Sequence, residues 1–244
     1  MNPGKPVQCH KMKSEGNVAR ILTFTSGPEG WRALLADPEK QWRTGYSART
    51  LAHCWEAAEG FPPEVAKALQ RTDETSLRNL TPVLAIPEFK VPLPGGVRPS
   101  QNDLFVLARG ANGPVSIMVE GKVSESFGPT LGEWRADASQ GKESRLRFLL
   151  STLGLMEDPA DSIRYQLLHR AASSVVTGDR FRAAAAVMLV HSFSEERAGW
   201  SDYQSLAALF GVDAKEGVVQ RLGKDSTIPL FGVWVVGNCS FLQS

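Results

Sequence analysis

Residues 100–122 read SQNDLFVLARGANGPVSIMVEGK, and this stretch decides the fold. Two runs rich in β-branched and large apolar side chains, 104–109 (LFVLAR) and 115–119 (VSIMV), flank the break Gly110-Ala111-Asn112-Gly113. Such runs favour strands and a Gly/Asn break is turn chemistry, so the stretch predicts a β-hairpin. A two-residue loop at Ala111 and Asn112 pairs Gly110 with Gly113, and counting outward sets Asp103 opposite Glu120. Their Cβ atoms would lie roughly 4.5–5.5 Å apart on one face. The two-residue period of a strand puts Lys122 on that same face. Two facing carboxylates repel, a poor arrangement unless a cation lies between them. A one-residue slip would carry Glu120 and Lys122 to the opposite face, so the reading depends on register.

Upstream, residues 80–90 (LTPVLAIPEFK) read as a strand interrupted by prolines, which confine it to a sheet edge or to strand ends. The Pro/Gly-rich segment 92–101 joins it to the hairpin and is a candidate lid or substrate-contacting loop. Residues 47–59 predict a helix that Ser47 can cap, with Leu51, Cys54, Trp55 and Ala58 on one face. Gly60, Pro62 and Pro63 stop it. Trp31, Trp42 and Trp55 read as packing residues. A short strand is expected over 18–25, within a single domain over 18–244 that follows a polar, mobile segment at 1–17.

Downstream, 123–142 reads as a long polar connection and 143–155 as an amphipathic helix. Asp161 is expected to cap a second helix. Ile163, Leu167, Ala171 and Val175 share one side of it, with Gln166, His169, Arg170 and Ser173 on the other. The run AAAAVMLVH at 183–191 suits a strand buried on both faces. A short helix over 202–210 and an apolar strand over 229–236 complete the chain as an added C-terminal unit.

The chain of 244 residues, 42% hydrophobic and 22% charged, can bury a substantial core. A formal net charge of +1 leaves no electrostatic footprint of its own for nucleic acid. Three separated cysteines without a C-x-x-C pair argue against a disulfide framework or a zinc site. His10, His53 and His191 stand alone in the sequence. No secretory signal or run of roughly 18 apolar residues appears, so a soluble, cytoplasmic protein without membrane contact is expected. Neither a P-loop nor a G-x-S-x-G elbow is present.

Asp103, a hairpin, then Glu120-x-Lys122 resembles the active site of the PD-(D/E)XK nuclease superfamily. One departure is Asn102, where that pattern has proline. The superfamily core runs α-β-β-β-α-β, and the segments 47–59, 83–89, 103–109, 115–122, 161–176 and 184–191 fill that order. SQNDLFVLARG, RYQLLHRAAS and AVMLVHSF are also similar to a bacterial family of unassigned activity, which adds no chemistry. The superfamily resemblance implies a restriction-endonuclease-like α/β fold, a mixed sheet flanked by helices. It implies Asp103 and Glu120 as ligands of Mg²⁺ or Mn²⁺, and Lys122 acting on the attacking water and the scissile phosphate. Nucleic acid, DNA first, is the implied substrate, in phage defence, restriction or repair, and a homodimer is left open. Gln166 and Arg170 become candidate contacts to the phosphate backbone. Glu56, on the first core helix, and Glu88 become candidate additional acids. Plainer roles compete: a solvated helix glutamate for Glu56, a rim ion pair for Glu88, a surface charge for Arg170. The alternative for the whole chain is a catalytically silent nuclease-like fold serving as a binding or regulatory module.

Overall fold

The computed structural model describes residues 20–21, 27–137, 139–223 and 226–244. The expected mobile segment at 1–17 and most of the expected strand at 18–25 lie outside them. Among the described residues one mixed sheet contains β1 (Arg20–Ile21), β2 (Thr81–Val91), β3 (Ser100–Gly110), β4 (Gly113–Lys122), β5 (Ala185–Ser192), β6 (Gln220–Leu222) and β7 (Leu230–Val236). Their spatial order is β1-β2-β3-β4-β5-β7-β6.

The hairpin of β3 and β4 starts with Gly110 opposite Gly113 and runs out to Leu104 opposite Val119. Asp103 and Glu120 are the next residues along the two strands. On the other side of β3, Pro87 pairs with Leu104 and Phe89 with Asn102, which sets Glu88 across from Asp103. β4 and β5 run parallel, as do β5 and β7, so a long crossover must separate β4 from β5 in the chain.

Helices cover both faces. α1 (Glu29–Arg32), α2 (Pro38–Gln41), α3 (Ser47–Glu56) and α4 (Pro63–Gln70) precede β2. α5 (Leu131–Arg135), α6 (Gln140–Leu153) and α7 (Tyr165–Arg180) form the crossover, and α8 (Trp200–Ala208) precedes β6. Leu51, Trp55 and Val65 pack on Val106, Ile117, Val187 and Val233. On the opposite face Leu149, Leu167 and Ala171 pack on Phe105, Met118 and Met188. With both faces covered, every residue of β5 is buried, the apolar run 185–190 and the polar His191 and Ser192 alike.

Several expectations change. β2 is one strand of 11 residues, not a strand broken at its prolines. Among the described residues its outer neighbour β1 meets it at Leu84 and Ala85, and neither Pro82 nor Pro87 has an outer partner there. Ser47 is the first residue of α3 rather than its cap, and its N–H donates to Glu125 Oε1 at 2.8 Å. α7 begins at Tyr165, not near Asp161, because Arg164 bridges Thr130 and Tyr165 N donates to Pro129 O. α5, inside the supposed polar connection, is started by a reciprocal cap between Thr130 and Glu133. The segment 92–101 is pinned, not free to act as a lid. The Arg145 guanidinium donates to the carbonyls of Leu93, Pro94, Gly96 and Arg98. Gly95, at φ +82°, comes so close to α6 that a Cβ there would clash with Gly141 O. No helix among the described residues is long and apolar enough to cross a membrane.

Candidate active site

The alternation of β4 turns Val119 toward α3 and Met118 toward α7. Glu120 therefore faces α7, where Gln166 and Arg170, one helical turn apart, reach it. Arg170 Nε donates to Glu120 Oε2 at 2.5 Å and Gln166 Nε2 to Oε1 at 2.8 Å. Lys122 Nζ lies 3.0 Å from the same Oε1 and 4.5 Å from the centre of the Phe127 ring. Asp103 Oδ2 accepts the Gly121 N–H at 2.8 Å, and its Oδ1 is 3.8 Å from Arg170 Nη2. Glu88 accepts from Gln101 Nε2 at 2.6 Å. Glu88 also sits at φ 51°, a left-handed conformation unusual for a non-glycine residue and more unusual within a strand.

Three carboxylates thus face two cations at the floor of a cleft of about 540 Å³. Charge and burial divide the acids. Burial works to raise the proton affinity of Glu120, but the adjacent Arg170 and Lys122 outweigh it and hold the carboxyl below its ordinary range. Asp103, raised to about 7 by burial and by the Glu120 charge, keeps 21% of its side chain exposed toward the cleft. Glu88 is raised to about 8 by burial and by Asp103. His169, whose Nδ1 is 2.8 Å from Ser100 Oγ, is held neutral by burial and by the Arg170 charge.

Asp103, Glu120, Lys122, Gln166, Arg170 and Glu88 are therefore brought together in one cleft. Glu56 is not. Only the first turn of α3, at Ser47 and Ala48, lines the cleft. Glu56 ends that helix roughly 13 Å further along its axis, where it accepts the Trp31 indole N–H at 2.8 Å. Glu125, Phe127 and Tyr165 also line the cleft. Nothing in their spacing singles them out, since two lie in the connection after β4.

His191 does not stand alone either. On the α3–α4 face its Nε2 lies 3.0 Å from Glu64 Oε1, and Cys54 Sγ lies 3.8 Å from the same oxygen. The three ligand atoms lie within 4.8 Å of one another, a grouping that could hold a metal. The ring's other nitrogen argues against it. Trp55 Nε1–H donates to His191 Nδ1 at 3.1 Å, so the neutral ring carries its proton on Nε2 and donates to Glu64. A metal on Nε2 would require a proton on Nδ1, facing the indole N–H. Burial also raises the Cys54 thiol and lowers His191. The cluster is a satisfied hydrogen-bond network.

Fold and site together define a mixed α/β protein with a buried carboxylate–cation cluster opening onto a cleft. The chain belongs to the family described as a domain of unknown function (DUF6946), whose model matches residues 24–239. No curated protein and no solved structure matches it.

Proposed function

We propose that this protein is a divalent-metal-dependent phosphodiesterase acting on nucleic acid, built on a restriction-endonuclease-like core. The order α3-β2-β3-β4-α7-β5, with β5 parallel to β4, supports that core, and α8 with β6 and β7 is the added unit. The carrying observation is that Asp103, Glu120 and Lys122 converge in one cleft with an excess of carboxylates over cations. The donor set fits a hard cation: Asp103 Oδ1 accepts no hydrogen bond among the described residues, and the half-buried Glu88 adds a third acid to the same cleft.

Asp103 and Glu120 would hold Mg²⁺ or Mn²⁺, which supplies charge neutralisation and lowers the pKa of water. Lys122, held over Phe127 and against Glu120, orients the attacking water and stabilises charge on the phosphoryl oxygens. Gln166 and Arg170 are donors that suit a phosphate oxygen as well as a carboxylate. A cytoplasmic nuclease in phage defence, restriction or repair, with DNA as first substrate, belongs to the same reading.

The test is a panel of single- and double-stranded DNA and RNA with Mn²⁺. Cleavage by the wild type that Glu120→Gln abolishes is the expected result; an intact panel rejects the proposal. A second reading, a silent nucleic-acid- or protein-binding module, is favoured by one observation. Glu120 is already satisfied by Arg170, Gln166 and Lys122 without any further ligand. Binding of nucleic acid without product would select it.

A further inference from the structure

We infer that a second cavity beside the candidate site is a subsite for one unpaired base of a single-stranded nucleic acid. The inference rests on the phosphodiesterase reading and specifies its substrate. The cavity, about 580 Å³, lies along α5 and α6, with Leu146 and Leu150 among its apolar lining and Trp134 in its wall. Trp134 stacks on Tyr165 with ring centres 4.0 Å apart and planes at 11°. Tyr165 in turn lines the cleft that holds Glu120 and Lys122. The two cavities therefore share one aromatic wall, and a strand lying in the cleft passes directly beside the second cavity.

The lining matches a base with its phosphate. Leu146, Leu150 and the Trp134 ring, which Tyr165 covers on one face and over which Lys142 Nζ lies at 5.5 Å, offer apolar contact that tolerates any base, and the cations suit the backbone. Arg135 is paired only loosely: it lies 3.6 Å from Asp158 and from Asp161, and among the described residues its buried Nε and Nη2 make no hydrogen bond. Arg147 is exposed at the same cavity and makes no ion pair among the described residues. Glu143 and Asp158 also line it, which disfavours a free polyphosphate and suits the single charge of one unit in a strand. A base can enter only by leaving its stack and its pairing partner, so duplex is excluded unless it opens.

The test measures binding by the metal-free full chain, using an end-labelled homopolymer of about a dozen nucleotides and the corresponding duplex. Leu150→Trp fills the cavity; Arg147→Glu, at an exposed position, reverses the charge with little demand on folding. Each is expected to weaken single-strand binding about tenfold or more while leaving Mn²⁺-dependent hydrolysis of bis(p-nitrophenyl) phosphate, which has no base, within about twofold. Single-strand affinity unchanged in both variants, duplex bound as tightly as single strand, or no oligonucleotide bound at all overturns the subsite. Failure of the wild type to hydrolyse either the small diester or any nucleic acid rejects the phosphodiesterase reading instead, because the binding measurement needs no turnover.

Discussion

Arg170 Nε lies 2.5 Å from Glu120 Oε2, joining α7 to the end of β4 across 50 residues of chain. Both side chains are almost wholly buried, at 8% and 3% exposure. A pair so placed has surrendered its hydration, and its net stabilisation over an apolar pair is small or negative. Removing one partner is costly, because the other charge stays buried. The contact therefore holds α7 in register with the hairpin and holds Glu120 ionised.

Arg170→Met is expected to lower unfolding free energy by about 3–5 kcal/mol. Glu120→Gln in the same chain should restore part of that loss, since no orphan carboxylate then remains. Urea midpoints of the two single variants and the double variant measure the coupling. Strictly additive losses would show that the pair is not coupled.

Glu88 provides a pH signature. Its carboxyl is raised from 4.5 to about 8, so between those values the folded chain holds a proton that the unfolded chain has released. Stability contributed by that proton is complete below about pH 4.5 and is lost as pH rises through 8. Glu88→Gln should therefore stabilise the metal-free protein progressively with pH, by on the order of 2 kcal/mol at pH 9. A benefit that is flat from pH 5 to pH 9 would contradict the shift, in which case Glu88 is an ordinary rim carboxylate.

Asp103 and Lys122 should separate metal binding from chemistry. Asp103→Asn keeps an acceptor for the Gly121 N–H while removing one of two repelling charges. It should leave metal-free stability unchanged or raise it by about 1 kcal/mol, and it should abolish thermal stabilisation by Mn²⁺. Lys122→Ala should retain that stabilisation and lose cleavage, because an ammonium is no ligand for a hard cation. If Mn²⁺ stabilises neither the wild type nor Lys122→Ala, the acid pair is structural.

The Cys54–Glu64–His191 network should ignore zinc. Micromolar Zn²⁺ is expected to leave the thermal midpoint in place, whereas His191→Leu should cost about 1–3 kcal/mol by stranding the buried Trp55 N–H. A zinc-dependent rise in midpoint that Cys54→Ser removes would make the cluster a metal site after all.

Local chemistry alone determined the hairpin and its register. Gly110 and Gly113 bracket the turn, and a period of two then fixes which side chains share a face, so Asp103, Glu120 and Lys122 could be placed together from their numbers. The side of α7 carrying Gln166 and Arg170 was legible for the same reason, a helical period. Thr130 and Glu133 were equally legible as a capping box, but α5 is too short to show an apolar period. What no local pattern contains is where separate elements dock. Glu56 and Ser47 lie on the same helix, and only the angle at which α3 meets the sheet brings Ser47 to the cleft and sends Glu56 to Trp31. Glu88 joins the acids through the pairing of β2 with β3, and Trp134 meets Tyr165 only after the crossover folds back. Those contacts depend on long-range packing of apolar faces, which is non-directional in sequence and becomes specific only when the whole core closes.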